Sequence, residues 1–242
     1  MKKSAKILFT LIALALVTTF SAQAAQKRTA ATSLATTTSF PEIFSSYPTG
    51  ICLADGLNFS PWASVFNGYG CNKIEKSKVG TTWLHESPQA STSSGETHAA
   101  LVTGPTFSGP LTFTTVLETV KQLRTGSIPN SWEVGWVLWN YSDNQHFYYF
   151  IAKPNGWELG KEDPSYPGSQ RFLATGSSPA FAVGKWYTIK VVQNSTNTIS
   201  VSVNGIPLTT FTDTENPYMN GKIGLYSEDA HVHFKTASVS QP

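Results

Sequence analysis

The chain has 242 residues, 13% of them charged and 12% aromatic, with 18 glycines, 14 prolines and a formal net charge of +2. Without Lys2, Lys3 and Lys6 that charge becomes −1. A near-neutral chain with scattered charges excludes nucleic acid as an electrostatic partner.

Residues 1–25 read as a secretory signal peptide: three lysines, the apolar run "ILFTLIALALV", then the small residues "SAQAA". The run is too short to span a bilayer, and nothing later is apolar for long enough. A periplasmic or extracellular location follows as the expectation. Residues 26–39, "QKRTAATSLATTTS", are small and polar without periodicity and read as a disordered leader. Residues 40–242 are expected to form one domain. The two cysteines, Cys52 and Cys71, are expected to pair in an oxidising compartment. Their bridge would close a loop of about 20 residues and contribute roughly 3 kcal/mol in the chain-entropy model.

The stretch from Phe40 to Gly70 is broken by proline and glycine and reads as loop-rich. Beyond it, short apolar segments alternate with turn residues: "TTWLHES", "THAALVTG", "LTFTTVLETVKQL", "WEVGWVLWNY", "HFYYFIAK", "WELGKE", "RFLAT", "KWYTIKVVQN", "TISVSVNG", "IPLTTFTD", "GKIGLYSE" and "VHFKTASVS". Period-2 patterning with β-branched and aromatic residues predicts strands. Only "VLETVKQL" competes as a helix, and its neighbours favour strand. A dozen short strands in one chain predict an all-β sandwich.

The segment "GKWYTIKVVQNSTNTISVSVNG", followed by "GKIGLYSEDAHVHFKTASVS", resembles the closing strands of the concanavalin A-like lectin/glucanase superfamily. That superfamily includes laminin G-like and 3-keto-disaccharide hydrolase-like domains. "VGWVLWNYSDNQHFYYFIAKPNG" is similar to their central hairpin. The resemblance spans residues 97–240 and implies a jelly-roll β-sandwich of two antiparallel sheets. It does not carry the family's sites across. Lys235 in "FKTAS" stands where some members have a calcium-binding carboxylate, so no calcium is expected there. The "E-x-D-x-E" and "R-x-E-x-R" catalytic strands of related enzymes are absent.

Alternation along residues 132–140 puts Trp132, Val134, Trp136, Leu138 and Asn140 on one face and Glu133, Gly135, Val137 and Trp139 on the other. The first set is the more apolar and is expected in the core. The second is expected to line an open face, with the bare Gly135 leaving room for a ligand. A two-residue turn at Asp143-Asn144 would set Trp139 opposite Tyr148 and Val137 opposite Phe150, with Phe147, Tyr149 and Ile151 in the core. For the next strand two registers stay open. A tight turn at Asn155-Gly156 brings Trp157, Leu159, Lys161 and Asp163 beside Tyr148; a bulge brings Glu158 and Glu162 there instead.

Sugars stack on aromatic faces and hydrogen-bond to polar rims. Trp139, His146, Tyr148, Trp157, Lys161 and Arg171 are therefore the candidate carbohydrate-binding residues, against the plain alternative of rings that merely cover a sheet. Glu133 with Glu158 is the candidate acid/base pair if the protein is an enzyme, since a glycosidase needs two carboxyl groups about 5 to 10 Å apart. The favoured alternative for Glu133 is a hydrogen-bonding or salt-bridging surface carboxylate, with Lys161 as its candidate partner. His231 and His233 share one strand face but have no third ligand at useful spacing, so neither a metal nor a cofactor is expected. The leading expectation is a monomeric lectin-like binder of poly- or oligosaccharide. A glycoside hydrolase or lyase is the alternative, and a structural or adhesion protein without a sugar site is the third.

Overall fold

From Leu111 to Thr119 every second side chain is buried, the signature of a strand with one face on a core. In the computed structural model, which describes residues 38–242, this pattern recurs in several other strands, while some are buried on both faces. The expected signal peptide and all but the end of the leader lie outside the described residues. The strands are β1 (Thr38–Glu42), β2 (Asn58–Phe59), β3 (Trp62–Phe66), β4 (Cys71–Lys76), β5 (Thr82–Ser87), β6 (Ala99–Ser108), β7 (Leu111–Gln122) and β8 (Gly135–Asp143). They continue as β9 (His146–Lys153), β10 (Gly156–Glu162), β11 (Gln170–Gly176), β12 (Trp186–Gln193), β13 (Thr198–Val203), β14 (Ile206–Thr212), β15 (Asn220–Glu228) and β16 (Ala230–Gln241).

They form two antiparallel sheets, as the all-β jelly-roll expectation requires. The first runs β14-β13-β12-β7-β16-β5-β4, with β1 also paired to β16; the second runs β11-β10-β9-β8-β15-β6-β3-β2. Between them Phe113, Leu117, Val191, Val232 and Phe234 meet Val137, Trp139, Tyr148, Phe150, Leu159 and Leu225. The segment that competes as a helix lies within β7. No helix among the described residues is long and apolar enough to cross a membrane.

Two boundaries differ from expectation. Thr38 and Ser39, the last two residues of the expected leader, are strand residues paired with Gln241 and Ser240. The loop-rich stretch contains β2 and β3, the latter held by Trp62 in the core. The same stretch is tied to β4 by the Cys52–Cys71 disulfide, with Cα atoms 5.2 Å apart.

The β8–β9 hairpin pairs Trp139 with Tyr148 and Val137 with Phe150, as expected, but by a different route. The tight turn is Asn144-Gln145, because Asp143 pairs with His146. A bulge between Trp139 and Asp143 absorbs the offset, and there Asn140 takes a φ of 52°. Asn140 tolerates that left-handed conformation better than most residues, and its Nδ2 donates to Gln193 Oε1 (2.9 Å) and to the Tyr218 carbonyl (2.7 Å).

Candidate functional site

The two faces of β8 and β9 are opposite to the sequence expectation. Val137, Trp139, Tyr148 and Phe150 are fully buried between the sheets. Trp136, Leu138, Tyr149 and Ile151 lie on the open side of the second sheet, in a separate apolar cluster with Leu101, Val134, Tyr141 and Phe147. Gly135 makes room for the facing sheet, since a Cβ there would come within 2.6 Å of Val232 Cγ1. The alternation was correct and its polarity was not, because both faces of this hairpin are apolar.

β10 keeps the face parity of the tight-turn reading, but the turn is Pro154-Asn155 and not Asn155-Gly156, because Gly156 pairs with Lys153; Lys161 then opposes Tyr148 and Leu159 opposes Phe150. With the faces reversed, that register carries Glu158 and Glu162 to the open side.

The open face is a grid of cross-strand rows. One row runs Leu101, Tyr226, Trp136, Ile151, Glu158 across β6, β15, β8, β9 and β10. The next runs Leu138, Tyr149, Gly160, Phe172. Gly160 is required here, because a Cβ would overlap the Tyr149 hydroxyl that lies above it. A third row joins Phe147, Glu162 and Gln170. Over these rows lies a cleft of about 670 Å³. Its apolar walls are Trp132, Trp136, Phe147, Phe172 and Tyr226. Its polar groups include Lys153, Glu158, Glu162, Gln170 and Glu228, with Asn144 and Asn155 at turns. Trp132 is 43% and Phe172 58% exposed, so both present ring surface to solvent.

The polar groups are held in place. Glu158 accepts from Tyr149 Oη (2.9 Å) and Lys153 Nζ (2.6 Å), and Gln170 Nε2 donates to Tyr149 Oη (2.8 Å). The Trp136 indole N–H donates to the Trp132 carbonyl (2.8 Å) and fixes the turn that projects Trp132. Tyr226 Oη donates to Glu228 (2.6 Å). Burial pushes the Glu162 carboxyl up to about 7. Burial does the same at Glu228, also to about 7, helped by the negative charges of Asp229, Glu133 and Glu162.

Trp139 is fully buried with its N–H on Gln193 Oε1 (2.9 Å), and Tyr148 is buried with its hydroxyl on Asp213 (2.6 Å). Neither ring can reach a sugar. Trp157 is also in the core, donating to the Ser178 carbonyl (3.0 Å). Lys161 is fully buried and paired to Asp213 (2.9 Å), and Arg171 bonds Asp213 and Glu215, each at 3.1 Å. Both cations tie the 213–216 segment to β10 and β11. His146 is half-exposed at the turn, 2.8 Å from Asp143, and does not line the cleft.

Glu133 precedes β8 and is fully buried, with Arg124 Nε at 2.6 Å and Asn130 Nδ2 at 2.7 Å. Arg124 also reaches Asp229 (3.1 Å) and the carbonyls of Ser93 and Glu96. Glu133 therefore sits in a buried ion network and does not line the cleft. Of the candidates, only Glu158 lines the cleft.

Sequence reasoning missed Trp132, Trp136, Phe172, Tyr226 and Glu228. For Phe172 no clear signal was present, since its neighbour Leu173 in "RFLAT" is equally apolar. For Glu228, at the very end of β15, there was none.

Residues 117–240 match the family model described as a 3-keto-alpha-glucoside-1,2-lyase-like domain. The chain belongs to this family. No protein of curated function matches it by sequence. Among solved structures it resembles a carbohydrate-binding module from Bacillus subtilis, at a TM-score of 0.53 and 13% identity, over 76% of this chain and 98% of that one. A Bacillus licheniformis beta-glucanase aligns at 0.52 and 13%, over 84% and 98%. A Bacillus subtilis protein of unknown function with a galectin-like fold aligns at 0.51 and 15%, over 81% and 98%. At these identities the likeness is one of fold, and with the family match it supports the concanavalin A-like expectation.

Proposed function

We propose that this protein is an exported carbohydrate-binding β-sandwich that takes poly- or oligosaccharide in the cleft on the open face of its second sheet. The observation that carries this is the cleft itself: five aromatic rings arranged with carboxylates, an amine and amides. Flat rings receive the C–H faces of a sugar, and the polar groups receive its hydroxyls. A flat adhesive patch would need no such recess. The carbohydrate-binding module and beta-glucanase among the structural neighbours lend support. The signal-like residues 1–25 and the disulfide support export. A glycan array probed with the untagged protein tests the proposal; binding to no glycan would sink it.

A second reading is favoured by Glu162 and Glu228. Two carboxyls raised to about 7 in one cleft suit proton transfer near neutral pH. The family description suggests elimination across C1–C2 of a 3-keto-glucoside as well as hydrolysis. In elimination one carboxylate takes the C2 proton, the C1–O bond breaks, and the other carboxyl protonates the departing oxygen. Assays for reducing sugar and for the unsaturated product separate catalysis from binding. Glu162→Gln should abolish turnover in the enzyme and only shift affinity in the binder.

A further inference from the structure

On the outer face of the first sheet, away from the cleft, three imidazoles and one carboxylate converge. His231 and His233 project from one side of β16, while Val232 and Phe234 enter the core from the other. The β16–β5 register sets His233 opposite His85, and the β5–β4 register sets Trp83 opposite Glu75. Four side chains from three adjacent strands thus meet.

His231 Nε2 lies 3.0 Å from His85 Nδ1 and 3.0 Å from His233 Nε2. Glu75 Oε2 lies 3.1 Å from His85 Nδ1 and 3.5 Å from His233 Nε2. All four donor atoms fall within 4.8 Å of one another. A tetrahedral zinc ion with ligands at about 2.0 to 2.1 Å requires ligand–ligand separations of about 3.3 Å. The four separations above bracket that value. We propose that Glu75, His85, His231 and His233 form a tetrahedral zinc(II) site that ties β4, β5 and β16 together.

Hydrogen bonding alone does not account for the cluster. A neutral imidazole nitrogen carries one proton or one lone pair, not both. His231 Nε2 therefore cannot donate to one ring nitrogen and accept from the other in its plane. A cation at the centre satisfies all three nitrogens at once.

The surroundings are those of a supported ligand set. Trp83 Nε1 donates to Glu75 Oε2 (3.2 Å), and Lys73 Nζ holds Glu75 Oε1 (2.9 Å), leaving Oε2 toward the imidazoles. The Trp83 ring packs on His233 at 4.8 Å and shields one side. Lys121, opposite His231 on β7, and Lys73, paired to Glu75, are nearby charges that oppose a cation. Four protein donors without an added one describe a closed, structural site. Imidazole with carboxylate suits zinc better than a hard cation such as calcium.

The test is calorimetric titration of untagged, EDTA-stripped protein with zinc chloride. One zinc per chain should bind with a micromolar or lower Kd and raise the melting temperature. His85→Ala and His231→Ala should each weaken binding by more than about a hundredfold, and Trp83→Phe by about tenfold, as expected for a residue that only positions a ligand. Circular dichroism of each variant establishes that it folds. Cobalt(II) should give the intense visible absorption of a tetrahedral centre, a readout independent of stability. Absent binding, binding unchanged in folded His85→Ala, or a weak octahedral cobalt spectrum would each overturn the proposal.

Discussion

Trp139 and Tyr148 pair across β8 and β9 and stack between the sheets, with ring centroids 5.5 Å apart and planes inclined by 21°. Both are fully buried, and each polar tip has a partner. Trp139→Ala should therefore cost about 3 to 5 kcal/mol in urea unfolding, since a large cavity opens and Gln193 loses a donor. Trp132→Ala, at an exposed ring on the cleft, should cost under about 1 kcal/mol. The reverse order would return Trp139 to the surface.

Lys161 is a structural cation. Its Nζ is held by Asp213 (2.9 Å) and by the carbonyls of Glu215 (2.6 Å) and Asn216 (3.1 Å), and it lies 4.7 Å from the centre of the Tyr218 ring. Lys161→Met should cost about 3 to 5 kcal/mol, because buried Asp213 loses its closest cation. Chemical denaturation measures this. Glycan affinity of the folded fraction should stay unchanged, and a selective loss of affinity would place Lys161 back in the site.

Glu228 predicts a pH dependence. Its carboxyl ionises near 4.5 when unfolded and at about 7 when folded. Between those values the folded chain keeps a proton that the unfolded chain has lost. Stability from this group is thus full below 4.5 and is lost as pH rises through 7. Glu228→Gln keeps an acceptor for Tyr226 and removes the titration. The variant should gain stability relative to the parent as pH rises from 5 to 8. Parallel stability curves for the two proteins would refute it.

The Cys52–Cys71 bridge anchors the segment before β4, across a sequence separation of 19. Replacing both cysteines by serine should lower unfolding free energy by about 3 kcal/mol. Mass spectrometry of the unreduced parent should show no free thiol, and two free thiols would contradict the bridge.

The strands were readable because the period-2 pattern depends only on local burial. "HFYYFIAK" coincides with β9. The Trp139–Tyr148 pairing matched expectation only because the bulge before Asp143 offsets the one-residue displacement of the turn, and a bulge leaves no local pattern to read. Which face points inward was not readable there. A sandwich strand whose open face is itself aromatic has no polar side to reveal its orientation, and Glu133 lies before β8 begins. Burial of a cationic Lys161 could not be foreseen without the 213–216 segment that surrounds it. The histidine cluster was half visible as "HVH". Its third imidazole, His85, is 146 residues away and is brought in only by the β5–β16 pairing.

The central claim is that the open face of the second sheet is the carbohydrate site. Its most direct test is calorimetric titration of the best array-selected oligosaccharide into the parent and into the Trp132→Ala/Phe172→Ala double variant. Both rings are exposed, so the variant should fold as the parent does. The account predicts at least a tenfold loss of affinity, as for stacked aromatic anchors. Equal affinity in the two proteins would contradict it and move the site elsewhere on the molecule.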